Sequence, residues 1–350
     1  MREPEPPTTD PWVRSWLTGV FLMVLAMAMI GATTRLTESG LSIVEWAPIK
    51  GTLPPLSAEA WALEFDKYRA SPQYQLINAG MSLADFKRIF FWEYVHRLFG
   101  RLIGFVVLLP WLFFLATRRL RGAFAGKTFL MLVLGGLQGL LGWYMVQSGL
   151  VDVPRVSHLR LAAHLLLAFI VGLYVLWLRL SLEPSPPQSR PMATGGRLAL
   201  IGLLVLLLVQ CIWGAFMAGS RAGTFARSFP DVHGHYLPGH FAVSPDLWTA
   251  IVFEVGPIHA THRLLAWACL AVVLGMVPWL LRRGPPQTRG LSWALLGLTL
   301  GQVALGAATV ISGVSLPIAV AHQGLALLLL GVVLALIERG GRGRWVGRGG

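Results

Sequence analysis

Eight runs of about 20 predominantly apolar residues constrain the fold more than any other feature of the chain, because a helix of that length crosses the hydrocarbon core of a bilayer. The chain has 55% hydrophobic and 13% charged residues and a mean hydropathy of +0.63, which excludes an ordinary soluble domain. The sequence therefore predicts an all-α polytopic membrane protein with eight transmembrane helices. The predicted spans are 15–34, 90–116, 127–147, 159–180, 197–217, 248–281, 291–312 and 317–337.

The net charge of +13 has a topological pattern. Lys and Arg residues cluster after the second, fourth and sixth spans and at the C-terminus, including Arg342, Arg344 and Arg348, as the positive-inside rule predicts for cytoplasmic loops. This pattern argues against a nucleic-acid partner and places both termini in the cytoplasm. The Pro-rich N-terminus resembles neither a cleavable signal nor a transit peptide, so we expect a retained first helix and a bacterial inner (cytoplasmic) membrane.

An internal repeat divides the chain into two halves of four helices each. His96-Arg97-Leu98 aligns with His262-Arg263-Leu264, and three further matches follow it. They are Gln138 and Gly142 with Gln302 and Gly306, Ala163-His164 with Ala321-His322, and Gly31-Ala32 with Gly214-Ala215. The expected organisation is an N-terminal half (1–180), a Pro- and Ser-rich linker (181–196) and a C-terminal half (197–350). Since four is even, the two bundles should be related by a pseudo-symmetry axis along the membrane normal.

Four histidines occupy repeat-equivalent places near the outer ends of the even-numbered spans. These are His96, His164, His262 and His322. A histidine in a helix usually hydrogen-bonds a neighbour, but four equivalent ones within membrane spans indicate function. Two helices of one bundle can supply imidazoles to opposite faces of a haem, which predicts the ligand pairs His96 with His164 and His262 with His322.

Arginines accompany these histidines. Arg97 and Arg263 follow His96 and His262 directly, and Arg101 lies one turn beyond Arg97. Guanidinium groups at that level are candidates to bind haem propionates. The alternative is that the side chains simply extend to the membrane interface.

Glu93 breaks the symmetry of the repeat. It precedes His96 by three residues and shares its helical face, whereas its repeat equivalent is His259. A carboxylate in one half only suggests proton-coupled chemistry there and an electron-transfer cofactor in the other half. The alternative is a structural role for Glu93 as a partner of Arg97 or of a backbone group.

The two long outer loops carry further features. An amphipathic segment at 58–68 lies in the first, and His233, His235 and His240 cluster with Asp231 in the second. Such a cluster can bind copper or zinc, although solvated loop histidines are commoner. Cys211 and Cys269 both lie in apolar segments and indicate neither a disulfide framework nor a zinc site.

Several motifs in combination resemble those of the haem A synthase family, the cytochrome oxidase assembly enzymes. They are the run from Gly31 to Ser42, Glu93-Tyr94-Val95-His96-Arg97, the Pro154-Arg155-Val156-Ser157 approach to His164, and Ala321-His322-Gln323. Because the first outer loop has no cysteine, the chain resembles the cysteine-free proteobacterial and mitochondrial type.

The resemblance implies a membrane oxidoreductase that converts the C8 methyl of haem O to the formyl of haem A for terminal oxidase assembly. It implies that His96 and His164 flank the substrate haem, that His262 and His322 ligate a haem b cofactor, and that Glu93 is needed for turnover. A haem O synthase and an electron donor are the implied partners, and a homo-oligomer is compatible with it. The alternatives are a non-enzymatic di-haem b electron carrier and a parallel-repeat transporter.

Overall fold

The computed structural model describes residues 10–45, 50–151, 154–184 and 191–341. Within these ranges the chain is helical and forms no extended strand. The α-helices are α1 (Pro11–Leu36), α2 (Ala58–Arg69), α3 (Pro72–Leu76), α4 (Leu83–Ala116), α5 (Gly122–Gln147), α6 (His158–Ser181), α7 (Thr194–Ser220), α8 (Leu247–Phe253), α9 (Val255–Arg283), α10 (Arg289–Ile311) and α11 (Leu316–Gly341).

Eight of the described helices are long and apolar enough to cross a membrane, with mean hydropathies between 1.7 and 2.5. They are α1, α4, α5, α6, α7, α9, α10 and α11. A short helical turn that begins at Pro286 precedes α10. The predicted all-α polytopic architecture is confirmed. Residues 185–190 of the expected linker and the C-terminal arginines beyond residue 341 lie outside the described residues.

The predicted sixth span, 248–281, is wrong as a single helix. The chain forms α8 and α9 with a break at Glu254, whose backbone is extended (φ −100°, ψ 134°). The Glu254 carboxylate accepts hydrogen bonds from the backbone N–H groups of Val243 and Ser244, at 2.8 and 2.9 Å. These contacts hold the preceding loop against the start of α9, and hydropathy alone carries no signal of them.

The long helices form two bundles, each with its helices packed in a closed ring. The first bundle contains α1, α4, α5 and α6, and the second contains α7, α9, α10 and α11. Between the bundles α6 packs against α7, and in the equivalent position α11 packs against α1. This reciprocal packing is what a pseudo-two-fold relation between the halves requires.

Glycines allow the two bundles to approach closely. A Cβ atom built on Gly172 of α6 would lie 3.2 Å from Val24 of α1 and 3.4 Å from Leu327 of α11. On α11, a Cβ atom on Gly331 would lie 3.0 Å from the Leu176 side chain. Small residues at such contacts are typical of helix packing in membranes, where van der Waals fit replaces the hydrophobic effect.

The first outer loop folds back onto the start of α4. The amphipathic segment predicted at 58–68 is α2, which is capped by Ser57 and buries Phe65 and Tyr68 against Phe86 and Phe90 of α4. The rings of Phe65 and Phe86 stack with centroids 5.0 Å apart. This aromatic cluster fixes the loop above the end of the first bundle.

Candidate functional site

In the first bundle, each predicted histidine lies against a glycine of a neighbouring helix. His96 on α4 faces Gly31 on α1, where a Cβ atom would lie 3.4 Å from its Nε2. His164 on α6 faces Gly142 on α5, where a Cβ atom would lie only 2.9 Å from its Cε1. Both imidazoles are half-buried, so each glycine accommodates a ring that keeps one side accessible.

The second bundle repeats this arrangement with its own glycines. His262 on α9 faces Gly214 on α7, and His322 on α11 faces Gly306 on α10. The corresponding distances from a Cβ atom to the ring Cε1 atoms are 3.3 and 3.1 Å. All four glycines were visible in the sequence as repeat markers, but their contact with the histidines was not predicted.

Glutamine side chains bind the backbone of three of these histidines. Gln138 donates to the carbonyl of His164 and Gln302 to that of His322, both at 3.1 Å. Gln210, which the sequence reasoning missed, donates to the carbonyl of His262 at 3.0 Å. The available signal was a costly amide inside an apolar helix.

A cavity of about 510 Å³ lies beside the first pair of histidines. His96, His164, Glu93, Arg97 and Arg101 all line it. Its volume is within the range of about 300–1,000 Å³ that is usual for ligand and cofactor sites. The structure therefore brings together the predicted residues of the first half around one space.

Three further arginines, which sequence reasoning did not single out as site residues, also line this cavity. They are Arg35, Arg155 and Arg221, the last contributed by the second half of the chain. Arg35 donates to the Ala218 carbonyl at 2.7 Å, and Arg221 forms an ion pair with Glu38. Together with Arg97 and Arg101, they give the outer end of the cavity a strongly cationic rim.

In the second bundle, several buried polar atoms have no hydrogen-bond partner among the described residues. They include Nδ1 of His262, Nδ1 of His322, and Nε and Nη2 of Arg263. An unsatisfied buried donor or acceptor costs about 1–3 kcal/mol, so such atoms are expected to meet a ligand or water. These guanidinium nitrogens of Arg263 fit the carboxylates of haem propionates, and His262 and His322 are of the residue type that ligates haem iron.

Glu93 is 3% exposed and makes three contacts. Its Oε2 accepts from Ser42 Oγ and from the Ile43 backbone N–H, both at 2.7 Å, and its Oε1 lies 2.5 Å from Nη2 of Arg97. Arg97 also donates to the carbonyls of Ile43 and Glu45, at 2.6 and 2.8 Å. The Glu93–Arg97 pair thus anchors the first outer loop, which is the contact set expected from the structural alternative.

His259 and Arg263 hold the second outer loop in the equivalent way. Nδ1 of His259 lies 2.6 Å from the carbonyl oxygen of Ala222, and Arg263 donates to the carbonyl of Asp231. The first outer loop offers a backbone N–H and a hydroxyl to Glu93, and a carboxylate accepts from both. The second outer loop offers a carbonyl oxygen to His259, and an imidazole N–H can donate to it. The exchange of an acid for a histidine between the halves therefore has a local structural cause.

The histidines of the second outer loop contact one another and the backbone. The rings of His235 and His240 stack with centroids 3.2 Å apart, and His233 Nε2 lies 3.0 Å from the Phe225 carbonyl oxygen. The Gly234 N–H donates to Asp231, which lowers the pKa of that carboxyl group. Across the described parts of the chain, no group of three or more His, Cys, Asp or Glu residues could hold a metal ion.

Comparison with known protein families gives a match over most of the chain. The COX15-CtaA family model, described as cytochrome oxidase assembly protein, matches residues 14–334. The chain belongs to this family. The resemblance inferred from the motifs of the sequence is thereby confirmed.

Relatives in the COX15-CtaA family match over nearly the full length. A heme A synthase of Rhodospirillum centenum is 44% identical over 326 residues, covering 92% of this chain and 86% of the relative. Heme A synthases of Sphingopyxis alaskensis and Parvibaculum lavamentivorans are 40% and 41% identical over 332 and 325 residues, with 93% of this chain and 91% and 93% of the relatives covered. The range matched by the family model, 14–334, spans both bundles.

Proposed function

We propose that this family member is a haem A synthase, a membrane oxidoreductase that converts the C8 methyl of haem O to the formyl of haem A for terminal oxidase assembly. One observation carries the proposal: two half-buried histidines, His96 and His164, line a cavity of about 510 Å³ beside Glu93. It is supported by the identity of 40–44% to heme A synthases over both halves.

The two halves receive different occupants in this proposal. His96 and His164 flank the substrate haem O, with Arg97 and Arg101 as candidates for its propionates. His262 and His322 would ligate a haem b cofactor, and Arg263 would bind its propionates with the two guanidinium nitrogens that have no partner among the described residues. When bound, haem b supplies a redox-active iron, and the protein supplies its ligands and their orientation.

The proposed role of Glu93 is to accept or deliver a proton beside the methyl group being oxidised. It lines the same cavity as His96, and one turn of α4 places both on the same face. Its contacts with Ser42, Ile43 and Arg97 fix the carboxylate in position. A general acid or base that is held rigidly in this way is well suited to one proton transfer.

The proposed location is a bacterial inner membrane, with both termini in the cytoplasm and both haem sites near the periplasmic face. The basic loops after the even-numbered spans support this orientation. The partners in the proposal are a haem O synthase that supplies the substrate and an electron donor for the cofactor half.

Pigment analysis tests the proposed function. The chain is produced with a haem O synthase in a bacterium that lacks haem A, and extracted pigments are separated by chromatography. Haem A should appear with the wild-type chain and be absent from a His96→Ala/His164→Ala control. Haem b without any haem A would favour the di-haem electron carrier, and purified protein with no Soret band would favour the transporter.

A further inference from the structure

The cavity of the first bundle extends well below the layer of histidines. One residue from each of the four helices lines it two turns, or about 10 Å, farther from the outer loops. They are Val24, seven residues before Gly31, Ile103, seven after His96, Gly135, seven before Gly142, and Val171, seven after His164. All four are apolar or lack a side chain, in contrast to the cationic rim at the other end.

Glycines border this lower part on the side of α4 and α5. Gly135 and Gly139 of α5 line the cavity and are solvent-accessible. A Cβ atom on either of them, or on the exposed Gly104 of α4, would meet no atom within 4 Å. No side chain of the described residues therefore fills the space beside these three glycines.

The second bundle has side chains at the corresponding places. In the repeat, Gly104 corresponds to Leu270, Gly135 to Thr299 and Gly139 to Val303. Thr299 is 3% exposed, and its hydroxyl donates to the Leu295 carbonyl at 2.8 Å. The halves are thus alike in their histidines and their facing glycines but differ in this seam, which is open in the first half and filled in the second.

We infer that the lower cavity and the seam between α4 and α5 form a channel for a long isoprenoid side chain on the porphyrin bound at His96 and His164. This inference rests on the proposed function, because haem O carries a farnesyl-derived tail and haem b does not. The polar ring edge with its propionates lies at the arginine-rich rim, and the tail occupies the apolar end. In the second half, side chains occupy the positions equivalent to this seam, which suits a porphyrin without a tail.

The test uses the purified full-length protein with its haem b retained. Haem O and added protohaem, which is chemically haem b and has no tail, are titrated separately into wild type, Gly139→Leu and Gly136→Leu. Binding is followed by the Soret difference spectrum. Gly136 is the matched control because it is exposed and open like Gly139 but does not line the cavity. Retained haem b reports that each variant is folded.

The channel predicts that Gly139→Leu binds haem O about tenfold more weakly, while its affinity for protohaem changes less than about threefold. Gly136→Leu should match wild type with both porphyrins. Unchanged haem O affinity in Gly139→Leu, or equal losses for haem O and protohaem, would overturn the channel while leaving the proposed function intact. Wild-type protein that converts no haem O would instead contradict the proposed function itself.

Discussion

Arg97 Nη2 lies 2.5 Å from Glu93 Oε1 within α4, and this ion pair ties the membrane span that carries His96 to the first outer loop. Because Arg97 also donates to two loop carbonyls, its charge is shared between the carboxylate and the loop. Glu93 can therefore affect turnover in two ways, through proton transfer and through the position of the loop. The two contributions can be separated by experiment.

Replacing Glu93 with Gln keeps the size of the side chain and one acceptor oxygen but removes the charge. We expect haem A formation to fall by about 10²–10⁴-fold, the usual contribution of a general acid or base, with haem b retained. Ser42→Ala is the control, because it removes one hydrogen bond to Glu93 and leaves the acid in place. Full activity of Glu93→Gln would exclude a proton-transfer role, and equal losses in both variants would favour a structural one.

The glycines facing the first two histidines should differ in their tolerance to substitution. Gly142→Ala puts a methyl group 2.9 Å from His164, so the ring must move, whereas Gly31→Ala puts one at 3.4 Å from His96, close to ordinary contact. We expect Gly142→Ala to weaken haem O binding by roughly tenfold and Gly31→Ala by less than about threefold, measured by spectroscopic titration. Equal affinities in the two variants would show that the ring positions do not control binding.

Gln323 links the two bundles beside both histidine pairs. It follows His322, lines the first cavity, and donates to the Ala28 carbonyl on α1 at 2.7 Å. Its repeat equivalent is Leu165, whose side chain cannot form a hydrogen bond. We expect Gln323→Leu to lower haem O affinity a few-fold while haem b stays bound, since the lost hydrogen bond contributes about 1 kcal/mol.

The control for Gln323 is Gln302→Leu, which removes an amide contact to the His322 backbone inside the second bundle. It should lower haem b retention and leave haem O affinity near the wild-type value. Both quantities are measured in the same preparation, as extracted haem b per protein and as a Soret titration. Loss of haem b from Gln323→Leu with unchanged haem O affinity would contradict the assignment of Gln323 to the first site.

The break between α8 and α9 predicts a pH dependence of the second outer loop. Hydrogen bonds from Ser244 and from the Val243 N–H lower the pKa of the Glu254 carboxyl group below its usual range. A depressed pKa stabilises the folded loop above the ordinary glutamate pKa of about 4.3, and that stabilisation is lost as the pH falls through the lower value.

Amide hydrogen exchange, corrected for intrinsic rates, measures this effect at Val243 and Ser244. Protection should be constant from neutral pH to about pH 5 and decrease only in more acidic solution. In Glu254→Gln it should be lower and independent of pH across that range. Loss of protection between pH 7 and 5 in wild type would point to another group, such as a loop histidine.

Much of the fold was predictable because the membrane imposes simple rules on length and polarity. Seven of the eight predicted spans overlap single helices, and the aligned residues His96 and His262 lie at matching places in the two bundles. The repeat was visible in the sequence because equivalent helices pack in the same way and need the same residue types at the same positions. A glycine that faces a histidine on the neighbouring helix is one such requirement.

The remaining features depend on contacts between distant parts of the chain. At the break between α8 and α9, the Glu254 carboxylate accepts hydrogen bonds from loop amides ten and eleven residues earlier. The anchoring of Glu93 by Ser42 and Ile43 also depends on how a loop folds back, which no helical period reports. The role of Gly135 and Gly139 likewise depends on a cavity that exists only when the four helices of the first bundle pack together.

The central proposal is that the first bundle binds the substrate haem and the second bundle binds the cofactor haem. It is tested most directly by the pigments of two double variants, each produced with a haem O source. His262→Ala/His322→Ala should lose haem b from the purified protein and form no haem A. His96→Ala/His164→Ala should keep haem b near the wild-type ratio to protein and also form no haem A. Loss of haem b from the His96/His164 variant, or haem A formation by it, would contradict the account.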